Sequence, residues 1–320
     1  MENYFNLEAK YYEKKAAKGT ANKLGLGIII FIVFQNIISL VLSVLVVFIP
    51  NFNGLLKDSV FNYLYSSFLT VTGFIFCGLI SIRMQKRKVS EIIEFNKPKK
   101  HFIPLIFIGM GVCMLANIIT SVIGSLLPFT PVMPDIGTPT NLSGIIIYFI
   151  TTAFLPALVE EFFFRGVIYG SLKKFGKVVA IVVSSVLFSL IHGNLVQIPF
   201  AFMVGLILGY ITAEADSIWP AVIVHFLNNF MSCVLTYIGV FFNESIQNFA
   251  FVIYMLIFIA IGLVSIVIYL TKQKNKAFIY EKTPHLTTSV GFIKHILLSP
   301  LMVVFYVYTV INVVLLQLVG

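Results

Sequence analysis

Glu160, Glu161 and Arg165 lie inside the otherwise apolar stretch VEEFFFRGVIYG, residues 159–170. A charged side chain in mid-bilayer costs about 2.5–3.5 kcal/mol on translocon-type scales. Three of them within a turn and a half must therefore face a bundle interior or a water-filled cavity. Spacing separates their roles. Glu161 and Arg165 are four apart, so they share a helix face and can pair. Glu160 is rotated by about 100° from Glu161 and has no fixed partner on its own helix, which leaves its carboxylate free for chemistry. Two further apolar stretches carry polar residues: LFSLIHG places His192 four residues after Phe188, and VHFLNNF places His225 and Asn229 four apart on one face.

At a rise of about 1.5 Å per residue, Glu160 lies ~18 Å from the cytoplasmic end of its span. By the same measure His192 lies ~21 Å in, His225 ~12 Å and Asn229 ~18 Å. Three spans thus bring Glu, His, His and Asn to one layer. A buried carboxylate is a natural general base for water. Two imidazoles and a carboxamide can hold that water or donate to the oxyanion of a tetrahedral intermediate. The same side chains, Glu160, His192 and His225, suit a zinc site with an open position, and spacing does not separate the two cases. Other intramembrane hydrolase chemistries fit poorly. There is no H-E-x-x-H, no G-x-S-G serine and no G-x-G-D aspartate, and Asp58, Asp135 and Asp216 all fall in loops. Asn228 is read as a packing contact, and His101, His285 and His295 are assigned no role.

The elements that must position these groups are membrane helices. The chain is 59% hydrophobic and 11% charged over 320 residues, against about a quarter charged for a soluble domain. Apolar runs recur at about 24–49, 59–82, 102–127, 143–172, 178–192, 196–212, 217–241, 247–270 and 296–318. The fifth is short and joins the sixth tightly, so eight or nine spans are expected in an all-α polytopic bundle. The +9 net charge does not indicate a nucleic-acid partner, because 19 of the 22 basic residues fall in alternate loops. That is the positive-inside pattern, with the N-terminus cytoplasmic. The first run is too long for a signal-peptide core. Neither Glu2 nor the final QLVG suits lipidation, so retention by the protein's own helices is expected. PFTPVMPDIGTPT (128–140) predicts an extended extracytoplasmic loop, and 271–295 reads as a polar linker. Gly205 and Gly209 form a G-x-x-x-G that lets span six pack closely. Cys77, Cys113 and Cys233 lie in apolar spans without metal-ligand spacing and read as small buried hydrophobes.

Together EEFFFR (160–165), FSLIH (188–192) and HFLNN (225–229) resemble, in order, the motifs E-E-x-x-x-R, F-x-x-x-H and H-x-x-x-N/D. These mark the CAAX-protease and bacteriocin-processing (CPBP, or Abi) family of intramembrane endopeptidases, which includes the type II CAAX prenyl endopeptidases. The resemblance covers roughly 140–240. It implies a catalytic core at 140–240; hydropathy and charge give a cytoplasmic tail at 1–23, N-terminal spans over 24–139, and C-terminal spans with a basic linker over 241–320. It implies Glu160 as catalytic base, with His192, His225 and Asn229 binding water or transition state. Glu161, Arg165 and Phe188 would support the site. It further implies a cavity open to the cytoplasm, a protein or peptide substrate, a bacterial plasma membrane, and a glutamate-activated water that needs no cofactor, with zinc as the alternative. Two other readings compete: a non-catalytic scaffold or bacteriocin-immunity protein using the same residues to hold helices, and a transporter.

Overall fold

The computed structural model describes residues 2–49, 52–99, 102–126, 136–272 and 284–319. Among these residues every regular element is helical. Eight helices are long and apolar enough to cross a membrane, so the chain is a polytopic all-α membrane bundle. The main helices are α1 (Glu2–Phe48), α2 (Ser59–Met84), α3 (Phe102–Ser125), α4 (Leu142–Phe175) and α5 (Lys177–Ile191). They continue with α6 (Gln197–Ala215), α7 (Trp219–Phe241), α8 (Glu244–Lys272), α9 (Ser289–Leu297) and α10 (Pro300–Val319). The choice between eight and nine spans turns on α5. Its 15 residues rise about 22 Å, short of a hydrocarbon core of about 30 Å.

Three segments differ from their sequence reading or qualify it. The lysine-rich tail is helical from residue 2 and runs unbroken into the first span as one 47-residue helix. Part of the expected polar linker forms α9, capped by Thr288, whose hydroxyl accepts from the Gly291 N–H at 3.1 Å. Phe292 and Ile296, one turn apart, are both fully buried and hold α9 to the bundle. Of the proline-rich loop, residues 136–140 are non-helical; 127–135 lie outside the described residues.

The two ends of the bundle are built from different contacts. At the end carrying the basic loops, residues 92–99 form a strap across the turn between α6 and α7. Ile218 N donates to the Glu94 carbonyl at 3.1 Å, and Lys99 N to that of Ala215 at 3.0 Å. Ser217 Oγ donates to the Asn96 carbonyl at 2.7 Å. Lys173 pairs with Glu94 at 2.6 Å and Lys99 with Asp216, whose hydrogen bond holds that ammonium above the usual lysine range. Gly170 makes room for the strap, since a Cβ there would stand 2.0 Å from the Ile92 carbonyl oxygen. Glu13 accepts from the N–H groups of Leu286 and Thr287 at 3.1 and 2.8 Å. His285 joins Glu13, at 3.2 Å, to the Lys174 carbonyl, at 2.8 Å. At the opposite end the ties are neutral: Tyr63 OH donates to the Gly137 carbonyl at 3.0 Å and Tyr237 OH to that of Pro139 at 2.9 Å.

Gly205 and Gly209 seat α6 directly on α5. A Cβ on either would lie 3.0 Å from Ser185 Cβ or 3.2 Å from Ile181 Cγ2. The three cysteines are free and buried.

Candidate active site

Helix α4 carries both glutamates and is not uniform. Its regular segment Leu155–Glu161 lies between two π-helical stretches, Ile150–Phe154 and Phe162–Tyr169. Wide turns of this kind re-aim side chains and concentrate at functional sites. Pro156 contributes, because it has no N–H with which to close an α-helical bond to Thr152. Asn229 of α7 reaches that carbonyl instead, its Nδ2 donating at 3.4 Å. Pro156, four residues before Glu160, thus leaves a backbone acceptor for the asparagine of the third motif.

The adjacent glutamates occupy different surroundings. Glu161 is fully buried, 3.1 Å from Arg165 Nε and 2.9 Å from His225 Nδ1. Arg165 is itself almost wholly buried, lies 4.4 Å from the Phe188 ring centroid, and donates from Nη2 to the Gly205 carbonyl at 3.3 Å. Burying an unpaired carboxylate would cost several kcal/mol; the guanidinium and imidazole offset that cost. Glu160 faces a cavity of about 650 Å³. One of its oxygens, Oε2, is buried with no protein hydrogen bond and lies 3.9 Å from His225 Nε2. That gap is too long for a direct bond and suits a shared water or a reacting group.

Both imidazoles have one nitrogen committed. His192 Nδ1 lies 2.7 Å from the Phe188 carbonyl; a carbonyl only accepts, so Nδ1 carries the proton. His225 Nδ1 donates in the same way to the Glu161 carboxylate. Each ring therefore offers Nε2. Phe188 orients both edge to face, at 4.9 Å from His192 and 5.8 Å from His225.

His192 stands where α5 stops within the membrane. Gly193 takes φ +65° and starts the reversal. Asn194 completes it, Oδ1 accepting from Gln197 N and Nδ2 donating to Gln197 Oε1, both at 2.8 Å. Non-helical backbone at such depth is tolerated where it lines a water-filled cavity, and His192 and Gln197 are part of the wall.

Glu160, His192, His225 and Asn229 all line the one hollow, with Phe188; Glu161 and Arg165 lie behind it. Sequence reasoning missed the rest of the wall. It includes Ser66, Ser67 and Thr70 of α2, Asn117 of α3, and Thr151 and Thr152 of α4. The hydroxyls of YSSFLT recur at helical spacing, and that stripe was the available signal. Asn228, read as a packing contact, lies on the wall and donates to Asn229 Oδ1 at 3.4 Å. Among the described residues no three His, Cys, Asp or Glu side chains are grouped as ligands of one metal ion. Glu160, His192 and His225, which share one wall, are the residues that would hold a zinc ion.

Fold and hollow together define an integral membrane protein with a polar Glu/His/His/Asn chamber inside a helical bundle. Residues 142–231 match the family model for type II CAAX prenyl endopeptidase Rce1-like proteins. A curated relative, the membrane-embedded CAAX protease MroQ of Staphylococcus aureus (strain USA300), is 26% identical over 165 residues. That match covers 47% of this chain and 64% of the relative's length. No solved structure matches the chain. The matched core is thus similar to CAAX proteases, over the same stretch that carries the three motifs.

Proposed function

We propose that this protein is an intramembrane endopeptidase that hydrolyses a peptide bond of a membrane-associated protein or peptide, with Glu160 activating water. The observation that carries the reading is the 3.9 Å gap between the unpartnered Glu160 oxygen and His225 Nε2, inside a hollow shared with His192 and Asn229. The family likeness of residues 142–231 supports it independently.

Glu160 takes one proton of a water held between its carboxylate and an imidazole Nε2. The hydroxide attacks the carbonyl carbon of the substrate, forming a tetrahedral oxyanion. The Asn229 amide supplies an uncharged N–H donor for that oxyanion. Glu160 then returns its proton to the departing amine as the C–N bond breaks. The products are a carboxylic acid, whose proton passes to the amine, and the amine itself, and Glu160 is regenerated. Glu161 and Arg165 do not touch the substrate; they fix the His225 tautomer and orientation, as an outer partner does for many catalytic histidines. The plasma membrane of a bacterium, with the N-terminus in the cytoplasm, is the location proposed.

The test compares membranes of cells expressing wild-type protein and Glu160→Gln, which keeps the size of the side chain and removes the base. One precursor should accumulate in the variant, and purified wild-type protein should cleave it. Unchanged cleavage by Glu160→Gln would end the mechanism. A phenotype retained by folded Glu160→Ala and His192→Ala variants would favour the scaffold reading.

A further inference from the structure

The resemblance implies a hollow open to the cytoplasm; the placement of its walls points the other way. On α2, α3 and α8, each of which has one end on a basic loop, the cavity residues sit toward the other end. On α2 they include Ser66 and Thr70, far from Arg83; on α3, Asn117, far from Phe102; on α8, Phe251, far from Lys272. The basic end is closed. Beneath Glu160 the buried side chains of Arg165, Phe164 and Val167 fill the space. Below them the 92–99 strap is hydrogen-bonded across the α6–α7 turn. Lysine- and arginine-rich loops face the cytoplasm, so the closed end is the cytoplasmic one.

We infer that the hollow is entered from the extracytoplasmic side, and that its substrate is an extended polypeptide segment presented at the outer half of the membrane. This rests on the endopeptidase reading for the word substrate, but not for the side of entry. The walls indicate the chemistry of the segment. No lysine or arginine lines the hollow among the described residues, and Glu160 is the acid there. The remaining polar groups are hydroxyls, amides and imidazoles, which bond backbone amides as readily as side chains. An uncharged stretch of extended chain fits such walls, and a volume of about 650 Å³ suits a short segment rather than a folded domain.

Single cysteines test the side directly. Ser66→Cys and Ser232→Cys place thiols at exposed positions of the cavity wall, and Lys88→Cys places one at the basic end. Vesicles of both orientations, carrying the full chain, are treated with a membrane-impermeant maleimide; the buried native cysteines serve as the unsubstituted control. The expected result is labelling of the two wall positions from the outer face only, and of Lys88→Cys from the inner face only. The inference is overturned if wall and Lys88 positions label from the same face, or if the wall positions label from neither. Labelling does not depend on catalysis. Outer-face labelling alongside an active Glu160→Gln variant would therefore remove the protease reading and leave the side of entry standing.

Discussion

The strapped end and the hollow end are made from the same helices with opposite use of polarity. At the strapped end charges are numerous, paired and tied to backbone, as with Lys173–Glu94, Lys99–Asp216 and Glu13 with residues 285–287. At the hollow end the buried, unbonded Glu160 oxygen faces an open cavity beside neutral hydroxyls and amides, whereas the likewise unbonded Glu94 Oε2 belongs to a carboxylate already paired with Lys173. Glu161 and Glu160 sit on either side of the boundary, one residue apart. Polarity satisfied within the chain locks helices together; polarity left unsatisfied at depth needs water or substrate. Mutations at the first end should cost stability, and mutations at the second should cost activity.

The sharpest way to break this contrast is Glu160→Gln. Turnover should fall by about 10²–10⁴-fold, the usual contribution of general base catalysis, with thermal stability in detergent unchanged; a large loss of stability would move Glu160 to the structural side. Arg165→Met should do the reverse, leaving Glu161 buried without its cation at a cost of roughly 3–5 kcal/mol. Here the melting temperature is the readout, and Arg165→Met combined with Glu161→Gln should recover much of the loss. Asn229→Ala removes a neutral donor and should lower kcat by about 10²-fold with a smaller change in KM, measured on the purified protein. Gly170→Ala pushes a methyl group at the Ile92 carbonyl and should destabilise by about 1–3 kcal/mol while the folded fraction keeps normal turnover. The smallest effect is expected from 1,10-phenanthroline, which should leave activity intact. Inhibition reversed by zinc would replace the water-activation scheme.

The site was legible because Glu160, Glu161, Arg165, His192, His225 and Asn229 are costly in lipid and stand out against apolar neighbours. Ser66, Ser67 and Thr70 did not stand out. Hydroxyls pass easily through membrane helices by bonding their own preceding carbonyls, as Thr72 does to Phe68 at 2.5 Å and Thr151 to Ile147 at 2.7 Å. Helix α9 was hidden because its two buried anchors, Phe292 and Ile296, lie in a segment too polar and short to read as a span. Spacing along the helices brought the polar groups to one depth but did not tell which end was plugged. That depends on residues 92–99, whose role comes from tertiary hydrogen bonds that leave no period in the sequence. The π-helical turns around Leu155–Glu161 were also illegible beyond the presence of Pro156, since register shifts of this kind depend on packing partners.

A transmembrane helix keeps its carbonyls sequestered within its own ladder of bonds, out of reach of any nucleophile. The hydroxyl and amide groups of α2, α4 and α7 offer replacement partners to a strand that has left that ladder. Segments that unwind readily, with glycine, proline or β-branched residues near the scissile bond, should then be cut in preference to equally hydrophobic runs of leucine and alanine, so that helix stability and not side-chain shape sets the choice.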